Sequence, residues 1–411
     1  MRTTFTEPYR PLYFLSALGM GGLSVSFFMY LMFLVPHQQT PIPTYESIAA
    51  VYRGDSTAMI AMTTIAILGI AWFAVRHLQF LTANLRQHAA FRRTAEYRAL
   101  RSSNAEVTLM AIPLTLGMTI NVAFILFALA VPGLWSKVEW LFPFSLVGFV
   151  AVGALAFVVF GRYLTRVMTH QNFDIEDTNH FSQVLPAFTF TMVAVGFAAP
   201  AAMSKNSAVS ALAMIGSFIF LAAAAAWISV KLPISVASIL RRGMAVEAGP
   251  TLWMGIPIFT LVGITAIRLS AGISHQFFHS ELSPVLAFVI IGLLLGGQLV
   301  MGLLGWAVMR RQNYFARFVS GPKRSVPAYG LICPGVALAV LSMFFIHWGL
   351  VRNDLIARFS PTHLILLATV FGLQLLTIRT MARLNRKLYG GSAASESEST
   401  PSGTQVTGAR A

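Results

Sequence analysis

Ten long apolar windows constrain the fold of this chain more than any other feature. A bilayer core about 30 Å thick needs about 20 apolar residues in a helix that rises 1.5 Å per residue. Hydrophobic residues make up 56% of the chain and charged residues only 10%. The pattern predicts an all-α integral membrane protein whose ten spans lie at roughly residues 12–35, 56–80, 107–131, 140–166, 184–203, 208–230, 250–270, 284–309, 328–351 and 362–381.

The distribution of Lys and Arg predicts the orientation of these spans. With a cytoplasmic N-terminus and ten spans, the cytoplasmic segments carry 23 of the 29 basic residues. Cytoplasmic loops of membrane proteins are enriched in Lys and Arg, so the split predicts a multi-pass protein of the cell (inner) membrane with both termini in the cytoplasm. Basic loops facing anionic lipid also account for the net charge of +15 without nucleic-acid binding. The six basic residues on the other side are Arg53, Lys137, Lys205, Arg268, Arg352 and Arg358.

The segments outside the windows divide the chain into one transport domain and a tail. The first window is too long for a signal-peptide core and is interpreted as a retained first helix. Residues 77–105 mix arginines with Leu81, Leu85, Phe91 and Tyr97, which fits either a helical extension on the inner leaflet or a solvated basic loop. Residues 390–411 are rich in Gly, Ser, Thr and Ala, which predicts a disordered cytoplasmic tail after a transport domain at 1–389.

Proline separates the odd-numbered windows from the even-numbered ones. Leading prolines at Pro113, Pro186, Pro257 and Pro334 are 73, 71 and 77 residues apart, about one helical hairpin each. In the even windows proline lies only near the ends. Because a proline kink frees a backbone carbonyl that lipid cannot satisfy, the pattern predicts five hairpins with an inner ring of kinked odd helices and an outer ring of even helices. The alternative is that proline is simply common in membrane helices.

Hydroxyl groups accompany the prolines in the same odd windows. Kinked backbone and hydroxyls suit a path for small ions, although each threonine can instead satisfy its own helix backbone. The first window has no internal proline but is rich in glycine. The candidate pore-lining residues are therefore Gly19, Gly22, Pro113, Thr115, Thr119, Pro186, Thr189, Pro257, Thr260 and Pro334.

Carboxylates and histidines are scarce in the windows. No Asp or Glu lies near the centre of a span, which weakens proton-coupled or sodium-coupled transport and a cation route. Only His77 and His347 approach a span, near its end and on opposite sides, so paired haem ligands are not expected. One cysteine and no phosphate-binding or zinc-protease motif predict no metal, no cofactor and no enzyme activity.

Several short motifs resemble the tellurite-resistance/dicarboxylate transporter family, which includes the slow anion channels of plants. Residues 14–23 (FLSALGMGGL) resemble its first helix, and residues 110–113 (MAIP) its third. Residues 249–252 (GPTL) and 255–257 (GIP) resemble its seventh helix. Residues 329–334 (YGLICP) fall where the family has an aromatic residue followed by Thr-Phe-Pro in the ninth helix.

The resemblance covers about residues 10–385 and implies a homotrimer with one anion pore per protomer, lined by helices one, three, five, seven and nine. Family substrates include chloride, nitrate, sulfite and malate. In the channel members a phenylalanine before the ninth-helix proline plugs the pore, and Cys333 holds that position here. The gate candidates are therefore Cys333 itself or, if the plug comes from elsewhere, Phe188, Phe190 or Phe259.

Three functions are compatible with these features. The first is a channel or facilitative exporter for small inorganic or organic anions. The second is a coupled carrier for C4-dicarboxylates or sulfite on the same fold. The third is a membrane anchor or quinone-reactive subunit of a redox complex, which the lack of paired histidines disfavours.

Overall fold

The computed structural model describes residues 5–170 and 180–389, which form helices and loops with no strand among them. Ten helices are long and apolar enough to cross a membrane, as predicted. The predicted tail at 390–411 lies outside the described residues. We number the spans in chain order as Pro11–Leu34, Thr57–Phe91, Asn104–Ala130, Leu134–Thr169, Phe181–Met203, Ser207–Arg242, Val246–Phe277, Pro284–Arg311, Val326–Asn353 and Pro361–Leu388.

The basic segment at 77–105 is largely helical. Span 2 continues as one α-helix to Phe91, and a short helix at Ala95–Arg101 follows. Leu81 is buried, whereas Leu85 is exposed. Of the two interpretations of this segment, the helical one therefore describes its backbone. A second short helix, Tyr45–Arg53, lies in the loop between spans 1 and 2.

The odd-numbered spans are more buried than the even-numbered spans. In the most apolar part of spans 1, 3, 5, 7 and 9, between 39 and 94% of the residues are buried. The corresponding range for spans 2, 4, 6, 8 and 10 is 17 to 33%. Span 5 is the extreme case at 94%. A helix that is apolar all round and buried all round packs against protein on every side.

Contacts between odd-numbered spans connect them to one another. Span 1 contacts spans 3 and 9, span 5 contacts spans 3 and 7, and span 7 also contacts span 9. Each odd-numbered span also packs against the even-numbered span that follows it in the chain. The contacts thus connect the five odd-numbered spans in a closed series, 1 to 3 to 5 to 7 to 9 and back to 1.

Each odd-numbered span begins with a 3-10 segment before it becomes α-helical. The α-helical parts of spans 3, 5, 7 and 9 begin at Ala111, Leu185, Gly255 and Ile332. Their leading prolines occupy the second or third α-helical position, where an N–H group has no helical partner and its loss costs little. The sequence predicted a kink at these prolines. The structure instead has a change from 3-10 helix to α-helix beside each of them. The 3-10 segments are Pro11–Tyr13, Asn104–Met110, Phe181–Val184, Val246–Trp253 and Val326–Leu331.

Proline in the even-numbered spans departs from the prediction at one position. Pro143 lies in the second turn of Val138–His170, and Pro284 and Pro361 begin their helices. Pro233, however, lies inside the continuous helix Ser207–Arg242. The prediction that Pro233 lies near a helix end is wrong, because the helix extends past residue 230, where the apolar window stops.

Candidate functional site

Three cavities follow one another along the odd-numbered spans. The start cavity, about 40 Å³, lies where spans 1, 5, 7 and 9 begin and is lined by residues that include Leu12, Ser182, Thr251 and Gly330. The central cavity, about 170 Å³, lies among spans 1, 3, 4, 5, 7 and 9. The vestibule, about 460 Å³, lies where spans 1, 5 and 9 end.

A neck of three residues separates the start cavity from the central cavity. Phe188, Pro257 and Cys333 line both cavities. They come from the first turns of the α-helical parts of spans 5, 7 and 9. The 3-10 segments and prolines of these spans thus place an aromatic ring, a pyrrolidine ring and a small thiol side chain around the same narrow point.

A second junction connects the central cavity to the vestibule. Ile42, Met203, Arg268 and Phe344 line both cavities. Arg268 is the only charged residue among those that line the central cavity. It lies in the α-helix Gly255–Phe277, nine residues before the end of that helix.

Among the described residues, the Arg268 guanidinium has one hydrogen-bond partner and no acidic partner. Its Nη1 donates to the Val195 carbonyl oxygen at 3.1 Å. Within residues 5–170 and 180–389, no carboxylate forms an ion pair with it. Placing an uncompensated charge away from bulk water costs several kcal/mol. An arginine inside a span therefore points to function, and its unused N–H groups are available to an anion in the cavities.

The vestibule is lined by basic groups. Arg352 and Arg358 join Arg268, and His37 and His347 complete the ionisable set. Asp and Glu are absent from the described residues that line the three cavities. The Arg358 Nη2 atom also donates to the last carbonyls of span 1, with the Phe33 oxygen at 3.0 Å and the Leu34 oxygen at 2.9 Å.

Half of the predicted pore-lining residues line these cavities. Gly19, Gly22 and Thr260 face the central cavity, Pro257 lies at the neck, and Pro334 lines the start cavity. The other five are packed elsewhere, between helices or in the first turns of their α-helical segments: Pro113, Thr115, Thr119, Pro186 and Thr189.

The threonine hydroxyls bond the protein backbone rather than the cavities. Thr115 donates to either the Phe14 or the Ala111 carbonyl, and Thr189 to either the Met110 or the Leu185 carbonyl. Thr260 lines the central cavity, but its hydroxyl lies 2.8 Å from the Ala337 oxygen and accepts from Gln298. The alternative that each threonine satisfies its own helix backbone fits Thr115 and Thr189, whereas the shorter bond of Thr260 goes to span 9.

The four gate candidates divide into two pairs. Phe188 and Cys333 form part of the neck. Phe190 points away from it and packs against the rings of Phe157 and Phe160 at centroid distances of 5.1 and 5.3 Å. Phe259 packs against span 8 at Gly297. Only the first pair is placed where a side chain could obstruct the cavities.

An even-numbered span also reaches the central cavity. Phe142, Ser145 and Phe149 of span 4 line it, whereas the family resemblance implies lining by odd-numbered helices alone. On span 3, Asn121 lines the same cavity, and its amide nitrogen lies 3.5 Å from the Met192 sulfur, a weak acceptor. Asn121 is therefore a second polar side chain with hydrogen-bonding capacity at this cavity.

The histidines differ from the prediction. His77 is the twenty-first of 35 residues in Thr57–Phe91, so it lies well inside span 2 and not near its end. Its Nδ1 is 2.8 Å from the Ala17 oxygen, and its Nε2 is 2.9 Å from the Thr119 hydroxyl. His347 has a buried partner that the prediction missed, because the Nε2 atoms of His347 and His363 are 3.2 Å apart.

This histidine pair does not have the spacing of haem ligands. Two axial nitrogens would lie about 4 Å apart, at about 2 Å per metal–nitrogen bond. The two rings here are in direct hydrogen-bond contact. No group of three or more His, Cys, Asp or Glu side chains within residues 5–170 and 180–389 is arranged to hold a metal ion.

Arg268 is the main candidate residue that sequence reasoning missed. It was counted only among the basic residues of the non-cytoplasmic side, although it lies inside the apolar window at 250–270. A further signal was present: Leu269, Ala271 and Ile273 continue the apolar pattern beyond it. A charge with apolar residues on both sides of it inside a span indicates function.

No protein-family model and no curated protein matches this chain.

Proposed function

We propose that this protein conducts small anions across a membrane, as a channel or facilitative exporter, through the start cavity, the neck, the central cavity and the vestibule. Arg268 carries the proposal. It places an unpaired positive charge at the junction of two cavities whose lining residues include no acid. A mobile anion would supply the counter-charge that the fold does not.

The proposed architecture is five hairpins, with the odd-numbered spans as an inner ring and the even-numbered spans as an outer ring. The contacts among spans 1, 3, 5, 7 and 9 and their greater burial support this arrangement. The even-numbered spans would then face lipid in the inner membrane. Membership of the tellurite-resistance/dicarboxylate transporter family and a homotrimer belong to the same proposal and rest on the short motifs alone.

The proposed orientation has both termini in the cytoplasm. The charge asymmetry of the loops supports it. The start cavity would then open toward the cytoplasm and the basic vestibule toward the opposite side. A membrane-impermeant thiol reagent tests this orientation in whole cells, applied to variants that carry Arg53→Cys or Arg98→Cys in a Cys333→Ala background. Labelling at residue 53 alone supports it, and labelling at residue 98 alone contradicts it.

The central experiment compares anion flux through wild-type protein and Arg268→Gln in liposomes. Chloride, nitrate, sulfite and malate are tested in turn. Glutamine retains an N–H donor for the Val195 carbonyl but removes the charge. Because a fixed charge in a confined path raises the local anion concentration, we expect flux to fall roughly 10- to 100-fold. Arg268→Lys retains the charge and should retain part of the flux.

Arg76→Gln is the matched control. Arg76 also lies in a span, but it is half-buried on span 2, lines none of the three cavities, and its Nη1 donates to the Gln79 side chain. This variant makes the same change in charge away from the cavities and should conduct as wild type. Equal flux in Arg268→Gln and wild type, or permeation by cations alone, would refute the proposal.

A coupled carrier for C4-dicarboxylates or sulfite is the second candidate. It is favoured by His77, a titratable side chain inside span 2 that bridges spans 1 and 3. Hydrogen bonds from both ring nitrogens are compatible with uptake of a proton at this position. Labelled malate uptake that ceases when the proton gradient is collapsed, and that His77→Gln makes independent of the gradient, would favour the carrier over the channel.

A further inference from the structure

The pair formed by His347 and His363 joins span 9 to span 10 at the wall of the vestibule. Both side chains are buried, and His347 is also a lining residue of the vestibule. His347 lies in a π-helical turn, Phe345–Leu350, which interrupts the end of span 9. Its ring stacks on Phe33 at a centroid distance of 4.6 Å, and Phe33 meets Phe344 edge to face at 5.0 Å.

The partners of the two rings determine where their protons are. The Phe359 backbone N–H donates to His363 Nδ1 at 3.1 Å, so that nitrogen carries a lone pair and Nε2 carries the hydrogen. His347 Nδ1 lies 2.8 Å from the Met343 oxygen, which is only an acceptor, so Nδ1 carries the hydrogen of His347. His363 Nε2–H therefore donates to the lone pair of His347 Nε2 at 3.2 Å.

This chain of hydrogen bonds is complete only when both rings are neutral. A proton added at His347 Nε2 would face the N–H of His363. A proton added at His363 Nδ1 would face the N–H of Phe359. Phe359 holds that N–H in place from a left-handed backbone conformation, with φ of 62°. Protonation of the pair therefore breaks one hydrogen bond in either case.

The charged groups around the pair are all basic on the vestibule side. Arg358 comes from the loop between spans 9 and 10, Arg352 from span 9 and Arg268 from span 7. His37, from the loop after span 1, is the other titratable group of the vestibule, and its Nδ1 is 2.8 Å from the Val35 oxygen. Among the ion pairs of the described residues, one involves this set, between Arg352 and the exposed side chain of Glu281 at 3.9 Å.

We propose that the His347–His363 pair is a proton-binding site, and that acid conditions add a positive charge to the vestibule by protonating His347 and turning its Nε2–H away from His363. The His347 ring can keep its Nδ1–H bond to Met343 while its Nε2–H turns toward the cavity that it already lines. The additional charge raises anion entry from the vestibule. The effect on flux rests on the proposed anion conduction, whereas proton binding by the pair does not.

The first test measures chloride flux in liposomes with the same pH on both faces. As the pH falls from about 7.5 to about 4, we expect wild-type flux to rise roughly 2- to 10-fold at the acid end of the series. The rise comes at the acid end because protonation breaks a hydrogen bond between buried rings beside three arginines. His347→Gln and the double variant His347→Gln/His363→Gln should lose this rise. His275→Gln, the control, removes an exposed histidine of span 7 that does not line the vestibule, and it should keep the rise.

His363→Gln distinguishes the hydrogen-bond chain from a simple charge effect. A glutamine amide can donate to neutral His347, and it can rotate its oxygen to accept from protonated His347. The rise should therefore persist in this variant and move to higher pH. Loss of the rise in His275→Gln, or its survival in the double variant, would overturn the proposal.

The second test is independent of flux. Nuclear magnetic resonance of protein labelled with ¹⁵N in its histidine rings should show, at neutral pH, one buried ring protonated at Nδ1 and one protonated at Nε2. The ring assigned to His347 should gain a second proton on acidification. A pair that stays neutral at the lowest pH tolerated by the fold would refute the proton site. Titration of the pair without any chloride flux would refute anion conduction and leave the proton site intact.

Discussion

The start cavity and the vestibule differ in both size and chemistry. The start cavity measures about 40 Å³ and ends at a neck made of a phenyl ring, a proline and a thiol. The vestibule measures about 460 Å³ and carries three arginines and two histidines. In the proposed path, one end would limit passage by the fit of uncharged side chains, while the other would act through electrostatic attraction. Changes of side-chain volume should matter at the start cavity, and changes of charge should matter at the vestibule.

The backbone packing also differs between the two ends. A Cβ at Gly272 would overlap the Ala201 carbonyl oxygen, so spans 5 and 7 meet backbone to backbone beside the vestibule. At the start of span 7, a Cβ at Gly249 would lie 3.0 Å from the Tyr314 ring and 3.1 Å from the Met309 side chain. Side chains can move a few tenths of an ångström, whereas a packed helix backbone moves only with its whole span.

The largest predicted effect follows from this contrast. Gly272→Ala should lower the free energy of unfolding in detergent micelles by about 3 kcal/mol, because overpacking against backbone forces two spans apart. Gly249→Ala should cost less than about 1 kcal/mol, since side chains can adjust. Gly296→Ala is the control, because a Cβ there meets nothing within 4 Å. Equal losses at residues 249 and 272 would show that the two ends pack alike.

The neck should respond to volume. Phe188→Ala removes its aromatic ring, and we expect chloride flux in liposomes to rise about tenfold, because the constriction widens by the volume of that ring. Cys333→Phe adds a ring at the same level and should lower the flux.

Phe190→Ala is the matched control for Phe188→Ala. Both side chains are buried on span 5, so both truncations should lower stability by a similar amount, about 3 to 5 kcal/mol. Only the change at Phe188 is expected to alter flux. A similar rise in both variants would assign the effect to loosened packing and not to the neck.

The vestibule should respond to charge and to salt. Arg352→Gln removes a basic side chain that lines it. We expect chloride flux to fall about two- to threefold at low ionic strength and to approach wild type near 1 M salt, where the Debye length is about 3 Å. Arg53→Gln makes the same change at an exposed position outside the vestibule and should have no effect. A loss that persists at high salt would point to a structural role for Arg352.

The smallest predicted effect concerns Glu46, whose carboxylate joins the segment between spans 1 and 2 to the loop between spans 3 and 4. Glu46 accepts from the Gly133 N–H at 2.6 Å and from the Thr44 hydroxyl at 2.7 Å, and the Gly133 bond is the main cause of the lowered pKa of this carboxyl. A carboxylate whose pKa is lower in the folded state stabilises the fold above its unfolded pKa. That stability is lost as the pH falls through the folded value.

Glu46→Gln should therefore lower the free energy of unfolding by about 0.3 kcal/mol at neutral pH, a small value because the carboxylate is exposed and screened. The difference between variant and wild type should vanish once the carboxyl is protonated in both states. Chemical denaturation at a series of pH values measures it. A difference that is constant with pH would mean that the side-chain shape and not the charge of Glu46 matters.

The helices were predictable from the sequence because hydrophobic length alone determines them. The ten windows agree with the ten spans to within a few residues at most starts, and the prolines of the odd-numbered windows mark real changes of helix type. The error at Pro233 has the same origin, because a helix continues past the point where its residues stop being apolar.

The polar interior was predicted less well, for a physical reason. The partner of a buried polar group depends on which helices meet. Thr189 bonds a carbonyl 79 residues away in sequence, and His363 meets His347 across two spans. No periodicity within one helix carries that information. Threonines were thus selected where backbone partners satisfy them, while Arg268 and His363 were overlooked.

The lengths of the even-numbered spans bear on how the protein fits bilayers of different thickness. Spans 2, 4 and 6 contain 35, 36 and 36 residues, compared with 24 and 23 in spans 1 and 5. At 1.5 Å per residue the longer helices reach about 54 Å, against a hydrocarbon core of about 30 Å. Mismatch with a thicker or thinner membrane can be absorbed by tilt of these long helices and by their projecting ends. Spans 1 and 5, which are shorter and line the cavities, would then keep their geometry as the lipid composition changes.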